Sequence, residues 1–267
     1  MILVEHPRPQ VALITLNRPE RMNSMAFDVM VPLKAALEDI TYDNSVRVVV
    51  LTGAGKGFSS GADHKSAGEV PQVQGLTRPT HALRSMAILD DVILALRRLH
   101  QPVIAAVNGA AIGGGLCLAL AADIRVAASG AYFRAAGINN GLTASELGLS
   151  YLLPRAIGSS RAFEIMLTGR DIDAAEAERI GLVSRQVPED QLLETCYEVA
   201  QRIAAFSRPG VELTKRTLWS GLDAANLEGH MQAEGLGQLF VRLLTTNFEE
   251  AVVARAEKRP PVFTDDT

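Results

Sequence analysis

Two loops of small residues, about fifty positions apart, limit this chain to very few architectures: Gly57-Phe58-Ser59-Ser60-Gly61-Ala62-Asp63 and Asn108-Gly109-Ala110-Ala111-Ile112-Gly113-Gly114-Gly115. Each follows an unbroken apolar run, Val48-Val49-Val50-Leu51-Thr52 before the first and Val103-Ile104-Ala105-Ala106-Val107 before the second. A short continuous apolar run bounded by turn residues reads as a strand buried on both faces. Two such strands, each ending in a turn without bulky side chains, can bring two backbone N–H groups to bear on one oxygen. That arrangement is an oxyanion hole, and stabilising developing negative charge is often the largest single term in catalysis.

The surrounding pattern alternates strand and helix. A strand is predicted over 11–16, stopped by Asn17-Arg18-Pro19, and a helix over 27–40 with Val29, Leu33, Leu37 and Ile40 on one face. Pro32 stands early in that helix. A strand over 46–52 and a helix over 85–99, ending before Pro102, follow. Beyond the glycine triplet come a buried helix over 116–122 and a strand over 124–127. These units predict layered α/β architecture with similar supersecondary pieces side by side. A further helix is predicted over 192–205, and beyond Pro209 the pattern is wholly helical (211–222, 224–246, 248–258). The shift divides the chain into a core over 1–206 and a helical region over 207–267.

Composition narrows the function class. The chain has 267 residues, 48% of them apolar and 21% charged, with a net charge of −4. Such a balance suits a globular protein with a large core and argues against a nucleic-acid-binding surface. With neither a leader-like N-terminus nor an apolar run long enough for a membrane, a cytoplasmic location is expected. Cys117 and Cys196 have no metal-ligand spacing and read as reduced core thiols. The glycine triplet does not fit G-x-G-x-x-G and lacks the Gly-Lys-Ser/Thr ending of a phosphate loop. What it offers is a helix N-terminus, where the N–H groups of Gly113, Gly114 and Gly115 favour negative charge.

Taken in order, several segments resemble the crotonase (enoyl-CoA hydratase/isomerase) superfamily over nearly the whole chain. They are Ile14-Thr15-Leu16-Asn17-Arg18-Pro19-Glu20-Arg21-Met22-Asn23-Ser24-Met25, Phe58-Ser59-Ser60-Gly61-Ala62-Asp63, Ala105-Ala106-Val107-Asn108-Gly109 through Gly115, and Ala122-Asp123-Ile124-Arg125. Leu153-Pro154-Arg155-Ala156-Ile157-Gly158, Leu167-Thr168-Gly169-Arg170 and Gly181-Leu182-Val183 continue the match. The resemblance implies an α/β fold, a crotonase-type spiral of ββα units with a helical C-terminal trimerisation region. It implies homotrimers or dimers of trimers, a role such as fatty acid metabolism, and no bound cofactor or metal. The ligand it implies is a coenzyme A thioester, whose carbonyl oxygen is held by the amides of Ala62 and Gly114. Around that thioester the resemblance implies a binding set of Arg21, Ser60, Gly61, Ala62, Asp63, His64 and Lys65 on one side. Gly113, Gly114 and Gly137 complete it on the other.

At the acid–base positions this chain departs from the family. Hydratases of the family use two glutamates; one falls here on Cys117 and the other near Gly137. Adding water to a conjugated double bond needs one group to activate water and another to deliver a proton. Counting back from Leu153-Pro154-Arg155, Glu146 matches the loop carboxylate of the isomerases, if one residue is inserted after Gly141. Leu142, Leu147 and Leu149 flank it and are expected to desolvate it, raising its pKa. A single base moving a proton between carbons asks less than hydration does, so isomerisation is the expected reaction. Hydration of a 2-enoyl-CoA and non-catalytic acyl-CoA binding are the alternatives, with Glu146 then capping a helix or facing solvent. Asp63 and Asp123 read as turn anchors, and a Cys117 nucleophile lacks a neighbouring histidine in sequence. His64 stands where the family usually carries an aliphatic residue. Arg134, Asn139 and Asn140 are expected over the acyl group, as is the segment 66–80, and Lys258 or Arg259 near the CoA phosphates. Met86, Leu89 and Ile93 are read as core, with an acyl channel as the alternative.

Overall fold

The apolar runs at 11–16, 48–52 and 103–107 form the middle of one sheet in the computed structural model, which describes residues 1–264. The last three residues of the 207–267 region lie outside the described residues. The elements begin with β1 (Ile2–Arg8), β2 (Val11–Leu16), α1 (Phe27–Tyr42), β3 (Val48–Gly53), β4 (Gly57–Ser59) and α2 (Arg78–Arg98). Next are β5 (Val103–Val107), β6 (Ala110–Ile112), α3 (Gly114–Ala121), β7 (Ile124–Ala128), β8 (Tyr132–Arg134), α4 (Leu149–Ile157) and α5 (Ser159–Thr168). The chain continues through β9 (Ile172–Asp173), α6 (Ala174–Arg179), β10 (Arg185–Val187) and α7 (Leu192–Ala204). It closes with α8 (Arg208–Gly221), α9 (Leu227–Leu244) and α10 (Asn247–Glu257).

Two sheets result. The larger runs β1-β2-β3-β5-β7-β10, parallel except for the β1–β2 pair. The smaller runs β4-β6-β8-β9, parallel except for its last pair. Each of the units β3-β4-α2, β5-β6-α3 and β7-β8-α4 gives one strand to each sheet before its helix. The ββα repeat is therefore visible in the hydrogen bonding itself.

Alternation along the central strands sorts the core. Val48, Val50, Ile104, Ala106 and Val126 face α7, where Leu192, Cys196, Tyr197 and Ala200 cover them. Val49, Leu51, Ala105, Val107 and Ala127 face the other way, onto Leu33 and Leu37 of α1 and the wholly buried α3. A one-residue slip of register would exchange these two sets. Burying a side chain of this size is worth about 1.5–3 kcal/mol, so the double coverage makes the central strands the most stable part of the scaffold.

The boundaries differ from the sequence reading where capping chemistry outweighs periodicity. Helix α2 starts at Arg78, not near Ser85, because Pro79 sits in a first turn that needs no donor from it. The same logic moves the start of α8 back to Arg208, with Pro209 in its first turn and Ser207 accepting from the Gly210 amide. Asn226 caps α9 through the Gly229 amide, which places its start at Leu227 and not at Ala224. The strands of the smaller sheet have two or three residues each and carry no periodicity to read.

Asp123 joins the core to the C-terminal helices. Its carboxylate accepts from the Val103 amide at 2.6 Å, from Trp219 Nε1 at 2.5 Å and from Lys215 Nζ at 2.8 Å. Lys215 also donates to the Gln101 carbonyl at 2.9 Å, and burial pushes its pKa down. The Arg97 guanidinium lies 3.3 Å from the centroid of the Trp219 ring. No described helix is long and apolar enough to cross a membrane.

Candidate active site

The site lies where the smaller sheet meets the N-terminus of α3. Strands β4 and β6 are parallel neighbours, with Gly57 opposite Ala110 and Ser59 opposite Ala111. The loops leaving them therefore emerge side by side. Gly61 (φ +79°) packs so closely that a Cβ on it would stand 2.5 Å from the Ile112 carbonyl oxygen and 3.2 Å from the Gly114 nitrogen. From the first turn of α3, a Cβ at Gly115 would stand 2.1 Å from the Ser59 carbonyl oxygen. Only residues without side chains allow this approach of the two backbones.

The approach leaves two donors free. Among the described residues, the N–H groups of Ala62 and Gly114 have no acceptor, while their neighbours are engaged: Asp63 N donates to Met25 O and Gly113 N to Arg134 O. The expectation that all three glycine amides face the ligand is corrected in part, because the Gly113 amide is held by β8. Gly113 supplies the turn instead, with φ +53°. Gly114 opens α3, whose first-turn amides and dipole favour a negative charge.

Asp63 holds the first loop in shape. Its carboxylate accepts from Arg18 Nη1 (2.9 Å), Arg21 Nη2 (2.6 Å), Ser24 Oγ (3.1 Å) and the amides of Lys65 and Ser66 (2.9 Å each). The Arg21 hydrogen bond, helped by these other donors, holds its pKa well below the usual carboxylate range despite burial. Arg21 is thereby tied to the protein and only partly exposed. Ser60 is also engaged, its amide with Met22 O and its hydroxyl with Arg21 O. His64 and Lys65 are exposed beyond the Asp63 turn.

Glu146 reaches the same place from the loop before α4. Its Oε1 is 3.1 Å from the point where a Gly113 Cβ would be, one residue from the Gly114 donor. Burial raises its pKa, and the charge of His64 acts in the opposite direction. The loop is strained at Leu147, which has φ +46°, while Gly148 takes φ +79° without that cost. Leu147 and Leu149 are buried as expected, whereas Leu142 is 62% exposed and does not desolvate the carboxyl. The Cys117 thiol ties the pieces together, lying 3.3 Å from Gly113 O and 3.5 Å from Glu146 O. Burial pushes that thiol well above its ordinary pKa, which suits a donor and not a nucleophile. Burial likewise pushes Cys196 up to about 12.

Several expected contacts go elsewhere. Gly137 is buried with its α-carbon against the Thr143 carbonyl, where a Cβ would meet the oxygen at 1.9 Å. The side chain from that segment beside Gly113 is Ala136, whose Cβ is 3.7 Å from the Gly113 Cβ position. Arg134 forms a bidentate pair with Asp171, and Asn139 donates to Gly169 O. Arg259 is paired with Glu250 and Glu257. On α2, Ile93 is buried and Leu89 packs on the core, but Met86 is 46% exposed. The sequence reading missed Met25, whose backbone pairs with Ala62 and whose sulfur packs on Gly114. It also assigned no role to Arg18 and Ser24, although both fall inside the first matching segment.

Comparison with known proteins fits this geometry. The family model for enoyl-CoA hydratase/isomerase matches residues 8–266. A protein of Mycobacterium bovis named a probable enoyl-CoA hydratase is 85% identical over 267 residues, covering 100% of this chain and 94% of its own length. The crystal structure of a probable enoyl-CoA hydratase/isomerase from Mycobacterium abscessus superposes with TM-score 0.96 at 72% identity, covering 100% of this chain and 99% of that one. A monofunctional enoyl CoA isomerase from M. smegmatis is 73% identical, with TM-score 0.74 over 86% of this chain and 98% of its own. With two free amides converging beside a half-buried carboxylate on a ββα scaffold, this chain belongs to the enoyl-CoA hydratase/isomerase family and has the crotonase fold.

Proposed function

We propose that this protein is an enoyl-CoA isomerase, moving a double bond of an acyl-CoA thioester from the 3- to the 2-position with Glu146 as the carboxylate base. One observation carries the reading: a carboxylate desolvated beside the Gly114 donor, with Cys117 and Ala136 at the neighbouring positions from which a second carboxylate would act. The thioester oxygen sits between the amides of Ala62 and Gly114. Glu146 removes a proton from C2, and the electrons released move onto that oxygen as an enolate. The same amides bind the enolate more strongly than the neutral carbonyl, which is the condition for lowering a barrier. Reprotonation at C4 completes the shift. The raised pKa of Glu146 suits a base that works near neutral pH.

The wider setting belongs to the same proposal. The CoA moiety lies along the exposed residues Ala62, His64 and Lys65. The region 207–267 mediates association into homotrimers or trimer pairs in the cytoplasm, supported by α9, which buries no residue in the monomer and exposes Leu236, Leu239, Phe240 and Leu243. Hydration is the second reading, favoured by the hydratase names of close relatives.

The deciding assay follows conversion of a 3-enoyl-CoA to its 2-enoyl isomer, beside hydration of a short 2-enoyl-CoA, for the wild type and Glu146→Gln. Isomerisation that disappears in the variant supports the reading. Hydration without isomerisation refutes it, and acyl-CoA binding without turnover of either kind leaves a carrier protein.

A further inference from the structure

We propose that His64 is a second catalytic acid–base group, the one that delivers the proton to C4 while Glu146 removes the proton from C2. The inference rests on the isomerase reading and gives an acid–base role to a residue that the sequence placed only in the binding set. Burial alternates along the first loop: Gly61 and Asp63 are buried, Ala62 and His64 exposed. Ala62 carries one of the two free amides, so His64 flanks the place where the thioester oxygen sits. Asp63, between them, is turned into Arg18, Arg21 and Ser24, and its grip on the Lys65 and Ser66 amides fixes the backbone on either side of His64.

From the opposite loop, Glu146 places its Oε1 3.1 Å from the Gly113 Cβ position, one residue from the Gly114 donor, and the charge of His64 favours its ionised form. The site thus brings an imidazole and a carboxylate together around one thioester carbonyl. The other charged groups nearby are Asp63, already held by the two arginines, and Lys65, adjacent in the chain and exposed. Histidine exchanges protons near neutral pH and donates from either ring nitrogen. An aliphatic residue at this position would leave Glu146 to carry the proton across the face of the substrate alone.

The step balances without a co-reactant. The C2–H bond breaks as Glu146 takes the proton, and its electron pair forms the enolate. The imidazolium of His64 then gives a proton to C4. The electrons of the old C3–C4 double bond form the new C4–H bond, and a double bond forms between C2 and C3 as the carbonyl is restored. The proton on Glu146 returns to the now neutral imidazole, directly or through water.

Origin of the C4 hydrogen is the test. Wild-type protein is run in D2O with an unlabelled 3-enoyl-CoA, beside H64Q and H64A, and deuterium at C4 of the product is measured by mass spectrometry or NMR. The His64 proton exchanges with solvent, so the wild type should place deuterium at C4 in most turnovers. The variants should be slowed roughly 10² to 10⁴-fold, the usual contribution of a positioned acid–base group. Their residual product should carry mainly hydrogen returned from C2 by Glu146, with KM little changed. Equal deuterium content in wild type and both variants overturns the role of His64 while leaving the isomerase reading intact. Absence of isomerisation in the wild type overturns both.

Discussion

Replacing Gly61 by alanine is a direct test of how the oxyanion site is built, because the chain contains its own control. Gly61 and Gly75 both have φ +79°, so alanine at either position meets the same dihedral penalty, about 1–2 kcal/mol for an L residue in the left-handed region. Their surroundings differ completely. Nothing lies within 4 Å of a Cβ at Gly75, whereas a Cβ at Gly61 would be 2.5 Å from the Ile112 carbonyl oxygen and 3.2 Å from the Gly114 nitrogen. Both of those atoms belong to backbone, so relief requires the two loops to part by something approaching 1 Å, a displacement that can lower turnover about 10²-fold. Losing one oxyanion donor outright typically lowers kcat by about 10²–10³. Glycine-to-alanine variants at both positions should therefore lose similar stability in urea denaturation followed by circular dichroism, with the Gly61 variant somewhat weaker. Only Gly61→Ala should lose about 100-fold or more in turnover of a 3-enoyl-CoA. Turnover within a few-fold of wild type for Gly61→Ala, or an equal loss for Gly75→Ala, would refute the claim that close contact of the loops sets the donors.

Other consequences can be checked with similar means. Glu146 has its pKa raised by burial, so the acid limb of the turnover–pH profile should fall above the ordinary carboxylate range; a limb at the usual value would contradict its desolvation. The same shift means the folded state binds more protons than the unfolded chain between the ordinary and the raised pKa, so stability falls as pH rises through that window. Glu146→Gln should accordingly raise Tm at neutral pH, with the gain vanishing in acid, while abolishing turnover. Cys117 and Cys196 are both fully buried, and neither should be alkylated by iodoacetamide at neutral pH until denaturant is added, as mass spectrometry would report. Asp123→Ala leaves Lys215 buried without its partner and should lower stability by about 3–5 kcal/mol, whereas the double variant Asp123→Ala/Lys215→Met should recover part of that loss. Leu239→Glu with Leu243→Glu should shift the protein to a smaller species in sedimentation analysis; an unchanged species would place the subunit contacts elsewhere.

The scaffold was legible where apolar runs are long. Residues 48–52 and 103–107 read as buried strands because both faces are covered, and the face assignment of Leu33 and Leu37 followed from helical spacing. The second sheet was not legible from periodicity, because three residues such as Tyr132-Phe133-Arg134 show no period and are held as a strand by their neighbours. At the site, the two small-residue loops pointed to paired amides, but which amides are free is decided by acceptors distant in sequence. Nothing local to Gly113 announces that Arg134 O holds its N–H. Arg134 itself looked available for a ligand, yet Asp171, far along the chain, takes both of its forks. The relation of His64 to Glu146 is likewise invisible in one dimension, since 82 positions separate them (146 − 64).

The parallel pairing of β4 and β6 sets a gauge. Because the loops carrying Ala62 and Gly114 leave adjacent strands of one sheet, they start from points held at the interstrand spacing, about 4.7–4.9 Å in any sheet. That starting separation comes from backbone hydrogen bonding, so exchanges of side chains that leave the glycine contacts between the loops intact do not act on it. On the proposed reading, the positions around it, such as 64, 117, 136 and 146, can exchange acids, bases and inert groups while the two amides stay in place. A scaffold that launches its paired donors from one sheet would, on that reading, change reaction by altering a few side chains, and this chain, with a cysteine and an alanine beside a single carboxylate, is one setting of that dial.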